Sequence, residues 1–133
     1  MANFTLSLNE FATGDRVFVC NLQIDGECQF SSFVEDLGEF EKKEVKKLAI
    51  SIWQLSENKK PRNRNHIKGK DLEDFRELKT KNLRLYYLVL SPGLIICLGG
   101  IKTQQRRDIE KLKTIKVKIL KYIQDYGELQ IET

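Results

Sequence analysis

The sequence predicts an α+β domain, with helices packed against one face of a mostly antiparallel sheet. Three observations carry that expectation. Apolar residues recur at helical spacing over residues 39–56 and again over 107–126. Between these helices lie three strand-like runs in close succession, at about 73–80, 83–90 and 94–101. Connections this short favour antiparallel neighbours.

Taken in order, residues 1–14 lack a regular pattern and read as an N-terminal arm or an added edge segment. RVFVCNLQI (16–24) is rich in β-branched and apolar residues and reads as a strand, with Asp25-Gly26 as its turn. Ser31 or Ser32 can cap a short helix through Phe33, Val34 and Leu37, which Gly38 breaks. The helix from about Glu39 to Ser56 carries the stripe Phe40, Val45, Leu48, Ile52 and Leu55, widened by Ile50 and Trp53. Trp53 is read as core or partner-facing. ENKKPRNRNHIKGK (57–70) is polar, holds Pro61 and Gly69, and reads as a basic loop. Ser91-Pro92-Gly93 signals a turn between the last two strands. A KTQQ loop then leads into a helix striped by Ile109, Leu112, Ile115, Ile119, Tyr122 or Ile123, and Tyr126, and stopped by Gly127. The expected core is therefore two N-terminal helices on a four-stranded sheet, plus a C-terminal helix.

A chain of 133 residues suits one domain, here residues 15–133 behind the arm. With 41% hydrophobic residues, apolar runs recur along most of the chain, which excludes a disordered class. No stretch approaches the roughly 18 uncharged apolar residues that span a bilayer. The start, MANFTLSLNEF, lacks a basic stretch followed by an apolar one, so the expected compartment is the cytoplasm, with no membrane partner. Cys20, Cys28 and Cys97 are odd in number and form no CxxC pair, which suggests reduced thiols. His66 is the single histidine, so neither a metal site nor a cofactor is expected.

Charge is unevenly spread. Residues 1–58 hold 5 Lys and Arg against 10 Asp and Glu, while residues 59–133 hold 18 against 9. A basic second half suits a polyanionic partner, although a solvated surface gives the same asymmetry. A turn at Lys81-Asn82 would oppose 79 with 84, 78 with 85, 77 with 86 and 76 with 87. Lys79, Arg84, Glu77 and Tyr86 would then share a face open to solvent, and Leu78, Leu83, Leu85, Tyr87 and Val89 the core face. A one-residue slip would swap the faces. Lys102, Gln104, Arg106 and Arg107 would lie at the edge of the open surface. Directly opposed cations destabilise a sheet unless an anion joins them, and Glu77 within the same face can be that anion.

DLEDFRELKTKNLRLYYLVLSPGLIICLGGIKTQQRRDIEKLK resembles the RelE/HigB-like toxins of the phage-derived type, in the RelE/ParE superfamily. In that family an "ELR" segment leads through a hairpin to "yRvlY", an apolar strand and a "KKTQ" loop. The counterparts here are Glu77-Leu78-Lys79, Leu83 to Tyr87, Leu94 to Ile101, and Lys102-Thr103-Gln104. VFVCNLQIDGECQFSSFVEDL is similar to the family's first strand, turn and helix, and the match spans about residues 16–124.

The resemblance implies the toxin of a type II toxin–antitoxin pair that cleaves mRNA on the ribosome without a metal. Its partners would be a cognate antitoxin, the ribosome and mRNA, in a homodimer or a toxin–antitoxin heterotetramer. The 2′-hydroxyl would be the internal nucleophile, and the protein would supply charge for the phosphorane and proton carriers. Arg84, Lys79 and Lys102 match catalytic or phosphate-binding positions. Glu77 stands where some members have lysine and is a candidate base. Arg106, Arg107, Gln104, His66, Lys68 and the rest of the 59–70 loop would contact RNA, and Tyr86 would stack on a base. The chain departs from the pattern at Lys79 (ELK for ELR) and at Thr103. At the start of the last helix it offers Asp108 or none where many members have histidine or tyrosine; His66 could serve as the acid, although a lone histidine in a basic loop also suits a solvated side chain. The runner-up is a non-catalytic ParE-like module, either a gyrase inhibitor or a degenerate toxin held by its antitoxin. Gly99-Gly100 lacks the spacing of a phosphate-binding loop.

Overall fold

The computed structural model describes residues 3 to 90 and 93 to 132. The chain is an α+β domain, and its sheet is larger than expected. Among the described residues the strands are β1 (Phe4–Leu8), β2 (Phe18–Ile24), β3 (Glu27–Cys28), β4 (Arg64–His66), β5 (Phe75–Lys79), β6 (Leu83–Leu90), β7 (Gly93–Ile101) and β8 (Gln130–Glu132). The helices are α1 (Gln29–Glu35), α2 (Glu39–Lys42), α3 (Val45–Ser56) and α4 (Gln105–Tyr126).

All eight strands join one sheet in the order β4-β5-β6-β7-β2-β1-β8, with β3 paired to β2. The sheet is mixed, because β2 runs parallel to β7 and β1 parallel to β8. A four-stranded sheet was expected; β1, β3, β4 and β8 extend it. Residues 4–8, inside the segment read as an arm or added edge, form β1, where Leu6 is 1% exposed between β2 and β8. Residues 64–66 of the basic loop form the opposite edge strand, β4. At the β2–β3 turn, Asp25 and Gly26 both take positive φ (52° and 84°), as the turn of a tight hairpin requires. Gly127 ends α4 at φ 93°. The Ser91-Pro92 turn lies outside the described residues.

The face expected to be open is covered. Phe75, Tyr86, Leu88, Ile95 and Cys97 pack with Leu112 and Ile119 of α4. On the other face Leu78, Leu83, Leu85, Tyr87 and Ile96 pack with Phe30 and Phe33 of α1 and Leu48, Ile52 and Leu55 of α3. β6 explains the arrangement: in LRLYYLVL the first six residues are all buried. A strand apolar at consecutive positions needs cover on both sides, and the α4 stripe supplies the second cover.

The β5–β6 register is as anticipated, with Lys79 opposite Arg84 and Glu77 opposite Tyr86. Between β6 and β7, Tyr86 faces Leu98 but Tyr87 faces Ile96, so Cys97 bulges out of register. Beyond the bulge, Gly99 lies against Phe33 and Gly100 against Asp108 of α4. A Cβ at Gly99 would overlap the Phe33 ring. Gly99→Ala should therefore lower the urea midpoint by a net overpacking cost of about 1–3 kcal/mol, despite the smaller unfolded-state entropy of alanine. An unchanged midpoint would show that the ring has room to move.

Candidate functional site

Charged groups excluded from the two-sided core collect at the end of the sheet that carries the β5–β6 turn. Two polar clasps build this end. In the first, Glu44, between α2 and α3, accepts from the Thr80 hydroxyl and the Asn82 backbone N–H (2.9 Å). Its other oxygen accepts from Asn82 Nδ2 at 2.6 Å. Burial alone would raise the Glu44 carboxyl, but these donors and the Lys47 charge together hold it below its ordinary range. In the second clasp, Ser51 Oγ of α3 donates to Asn63 Oδ1 (2.9 Å), and Asn63 Nδ2 donates to the Lys79 carbonyl (3.0 Å). Asn63 O in turn accepts from the Lys79 N–H at 3.1 Å. Asn58, at φ 59°, reverses the chain after α3 and brings residues 59–63 alongside the hairpin.

Between these parts lies a groove of about 910 Å³. Lys79, Lys81 and Arg84 line it from the hairpin, Lys102 from the end of β7, Lys47 from α3, and Lys59, Lys60 and Arg62 from the loop. No Asp, Glu or His is among the described lining residues. Such clustering in a concave site focuses positive potential outward.

Arg84 is 8% exposed, and its Nη1 donates to the carbonyls of Thr80 (2.7 Å) and Leu83 (2.8 Å). Its Nε is buried without a partner. Neither Arg84 nor Lys79 forms an ion pair among the described residues. Glu77 does not offset them; its Oε2 accepts from Gln105 Nε2 at 2.7 Å. Of the two opposed cations, Arg84 is compensated by two backbone carbonyls and Lys79 is exposed to solvent.

The groove brings together Lys79, Arg84 and Lys102 with Lys59, Lys60 and Arg62 of the 59–70 loop, all sequence-derived candidates. The others lie elsewhere. Tyr86 is 0% exposed beneath α4, which removes it as a stacking surface, and burial raises its hydroxyl strongly, helped by Asp108 and Glu77. Asp108 is 3% exposed behind Gly100, and burial raises its carboxyl. His66 and Lys68 are exposed on or just after edge strand β4, outside the groove. Gln104 and Arg106 are exposed at the start of the last helix, and Arg107 lines a separate concavity with Leu98 and Glu110. Lys47, Lys81 and the two clasps were missed. The signal for Lys47 was its spacing: Lys47, Ile50 and Gln54 form one side of α3 distinct from the buried stripe.

Among the described residues no helix is long and apolar enough to cross a membrane. Comparison with family models, curated proteins and solved structures finds no match.

Two outcomes follow from these electrostatics. Because the folded-state pKa of Glu44 lies below its ordinary 4.5, its stabilisation is complete above that value and is lost as pH falls through the lowered one. Glu44→Gln should cost about 1 kcal/mol at neutral pH, and urea titrations should show the gap from wild type closing in acid. A gap independent of pH would remove the carboxylate from this role. His66 is held below its ordinary 6.5 chiefly by Arg76, then by desolvation, Arg64 and Lys60. In Arg76→Gln its imidazole resonance, the one histidine signal of the chain, should titrate at higher pH.

Proposed function

We propose that the groove is the phosphodiester site of a RelE/HigB-like toxin, a metal-independent endoribonuclease that cleaves mRNA on the ribosome. The observation that supports this reading is the groove's lining: eight of its thirteen residues are Lys or Arg and none is acidic. On this reading Lys79, Arg84 and Lys102 neutralise the charge that develops on the phosphorane when the 2′-hydroxyl attacks. Arg84, already fixed by two carbonyls, is a preorganised donor, whereas Lys79 and Lys102 are mobile point charges. The groove holds no imidazole or carboxylate, so efficient proton transfer would require the ribosome-bound state. β2, α1, α3 and β5–β7 would be the toxin core, and an acidic segment of a cognate antitoxin would fill the groove.

A second reading, a non-catalytic interaction module on the same fold, is favoured by one observation. Glu77 and His66, the candidate proton carriers, lie outside the groove.

The deciding experiment is induced expression with growth measurement and primer extension on cellular mRNA. Lys79→Ala and Lys102→Ala suit it better than Arg84→Ala, because both side chains are exposed and Arg84 also anchors the hairpin. Wild type should arrest growth and produce new mRNA ends, and each lysine variant should lower cleavage by about 10²–10³-fold at an unchanged unfolding midpoint. Arrest without new ends would point to another target such as gyrase, and absence of arrest would support the second reading.

A further inference from the structure

α3 turns Leu48, Ile52 and Leu55 into the core, yet leaves two large apolar side chains outside it. Ile50 is 59% exposed and lines the groove, and Trp53, one turn further on, is 38% exposed. Lys59, which also lines the groove, places its Nζ 5.1 Å from the centre of the Trp53 ring. The Lys59 N–H donates to the Gln54 carbonyl at 2.8 Å, which holds that lysine next to the end of α3. The cationic groove is therefore continuous, through Ile50 and Lys59, with an exposed indole at its rim.

We propose that Trp53, three residues after Ile50 on α3, is the stacking platform for an unpaired nucleobase of single-stranded RNA whose phosphates run in the groove. The proposal rests on the reading of the groove as an RNA site and adds to it the residue that holds a base. Proteins that hold single strands without reading sequence pair a cationic groove with an aromatic surface. Duplex RNA keeps its bases stacked and paired, and cannot offer one to the indole without unpairing it. Lys59 now covers the ring as a cation–π partner. A base would take that place, and the lysine, on its flexible stem, would move to the adjacent phosphate. The eight neighbouring cations favour this occupant over a neutral apolar peptide, and two side chains are too small a patch for a protein interface.

Trp53 is the one tryptophan of the chain, so its fluorescence reports on the platform alone. The probes are a short single-stranded RNA, an abasic phosphodiester oligomer of equal length, and a duplex of the same sequence. The single strand should quench Trp53 strongly, and the abasic oligomer and duplex weakly. By anisotropy of labelled oligomers, Trp53→Ala should weaken single-stranded RNA about tenfold and leave the abasic oligomer unchanged. Trp53→Phe, which keeps a ring, should recover part of the loss and controls for folding. Lys102→Ala should weaken both oligomers alike. If Lys102→Ala weakens binding but Trp53→Ala does not, the groove reading stands and the platform is overturned. If Lys102→Ala has no effect on either oligomer, the groove reading fails and takes the platform with it.

Discussion

The burial of β6 on both faces is the constraint on which the rest of the structure depends. Its first six residues are all buried, so the sheet must be covered by α1 and α3 on one side and by α4 on the other. No sheet face is then left for a ligand. Arg84 turns back onto the backbone, Glu77 meets Gln105 of α4, and Lys79 and Lys102 reach out at the strand ends. The groove stands at the end of the sheet because the faces are taken.

Placing so many cations together with no carboxylate in the described lining is electrostatically unfavourable. What keeps the hairpin and the 59–63 loop in place is a set of neutral or locally satisfied contacts. Asn63 links α3 to β5 without using a charge, and Glu44 addresses amides and a hydroxyl rather than a lysine. The scaffold of the groove is thus largely independent of its cations. Lysines at its rim can change without loosening it, whereas Asn63 and Glu44 cannot.

Much of this was legible in the chain, for identifiable reasons. The hairpin register followed from Lys81-Asn82 set between two alternating runs, and it placed Lys79 opposite Arg84 as found. The α4 stripe was periodic enough to give both its length and its stop at Gly127. The face assignment failed because the charges of Lys79, Arg84 and Glu77 suggest an open face, against the uninterrupted apolar run LYYLVL (85–90). That run signals a strand covered twice, which puts Tyr86 in the core. β1 and β8 are short, and each depends on partners far away in sequence, so no local pattern marks them. The division between α2 and α3 carries no glycine or proline. It falls at Lys43 and Glu44, where the chain turns to serve the hairpin. The groove itself joins residues 47 to 102 through tertiary structure, beyond the reach of any local signal.

The bulge at Cys97 sets the phase of everything that follows it on β7. Before it, side chains alternate between the α1 and α4 sides; at Cys97 and Leu98 two successive residues turn to the α4 side, and alternation resumes inverted. That inversion puts Gly99 under the Phe33 ring and Gly100 beside Asp108. It also sets which side of the sheet Lys102 leaves from when it enters the groove. The number of residues between Ile96 and Lys102 therefore matters as well as their identity. A substitution at Cys97 leaves that phase in place, whereas loss of a single residue there would turn Gly99, Gly100 and Lys102 each to the face opposite its present one. The addressing of the site is written in chain count, and the chemistry is read out afterwards.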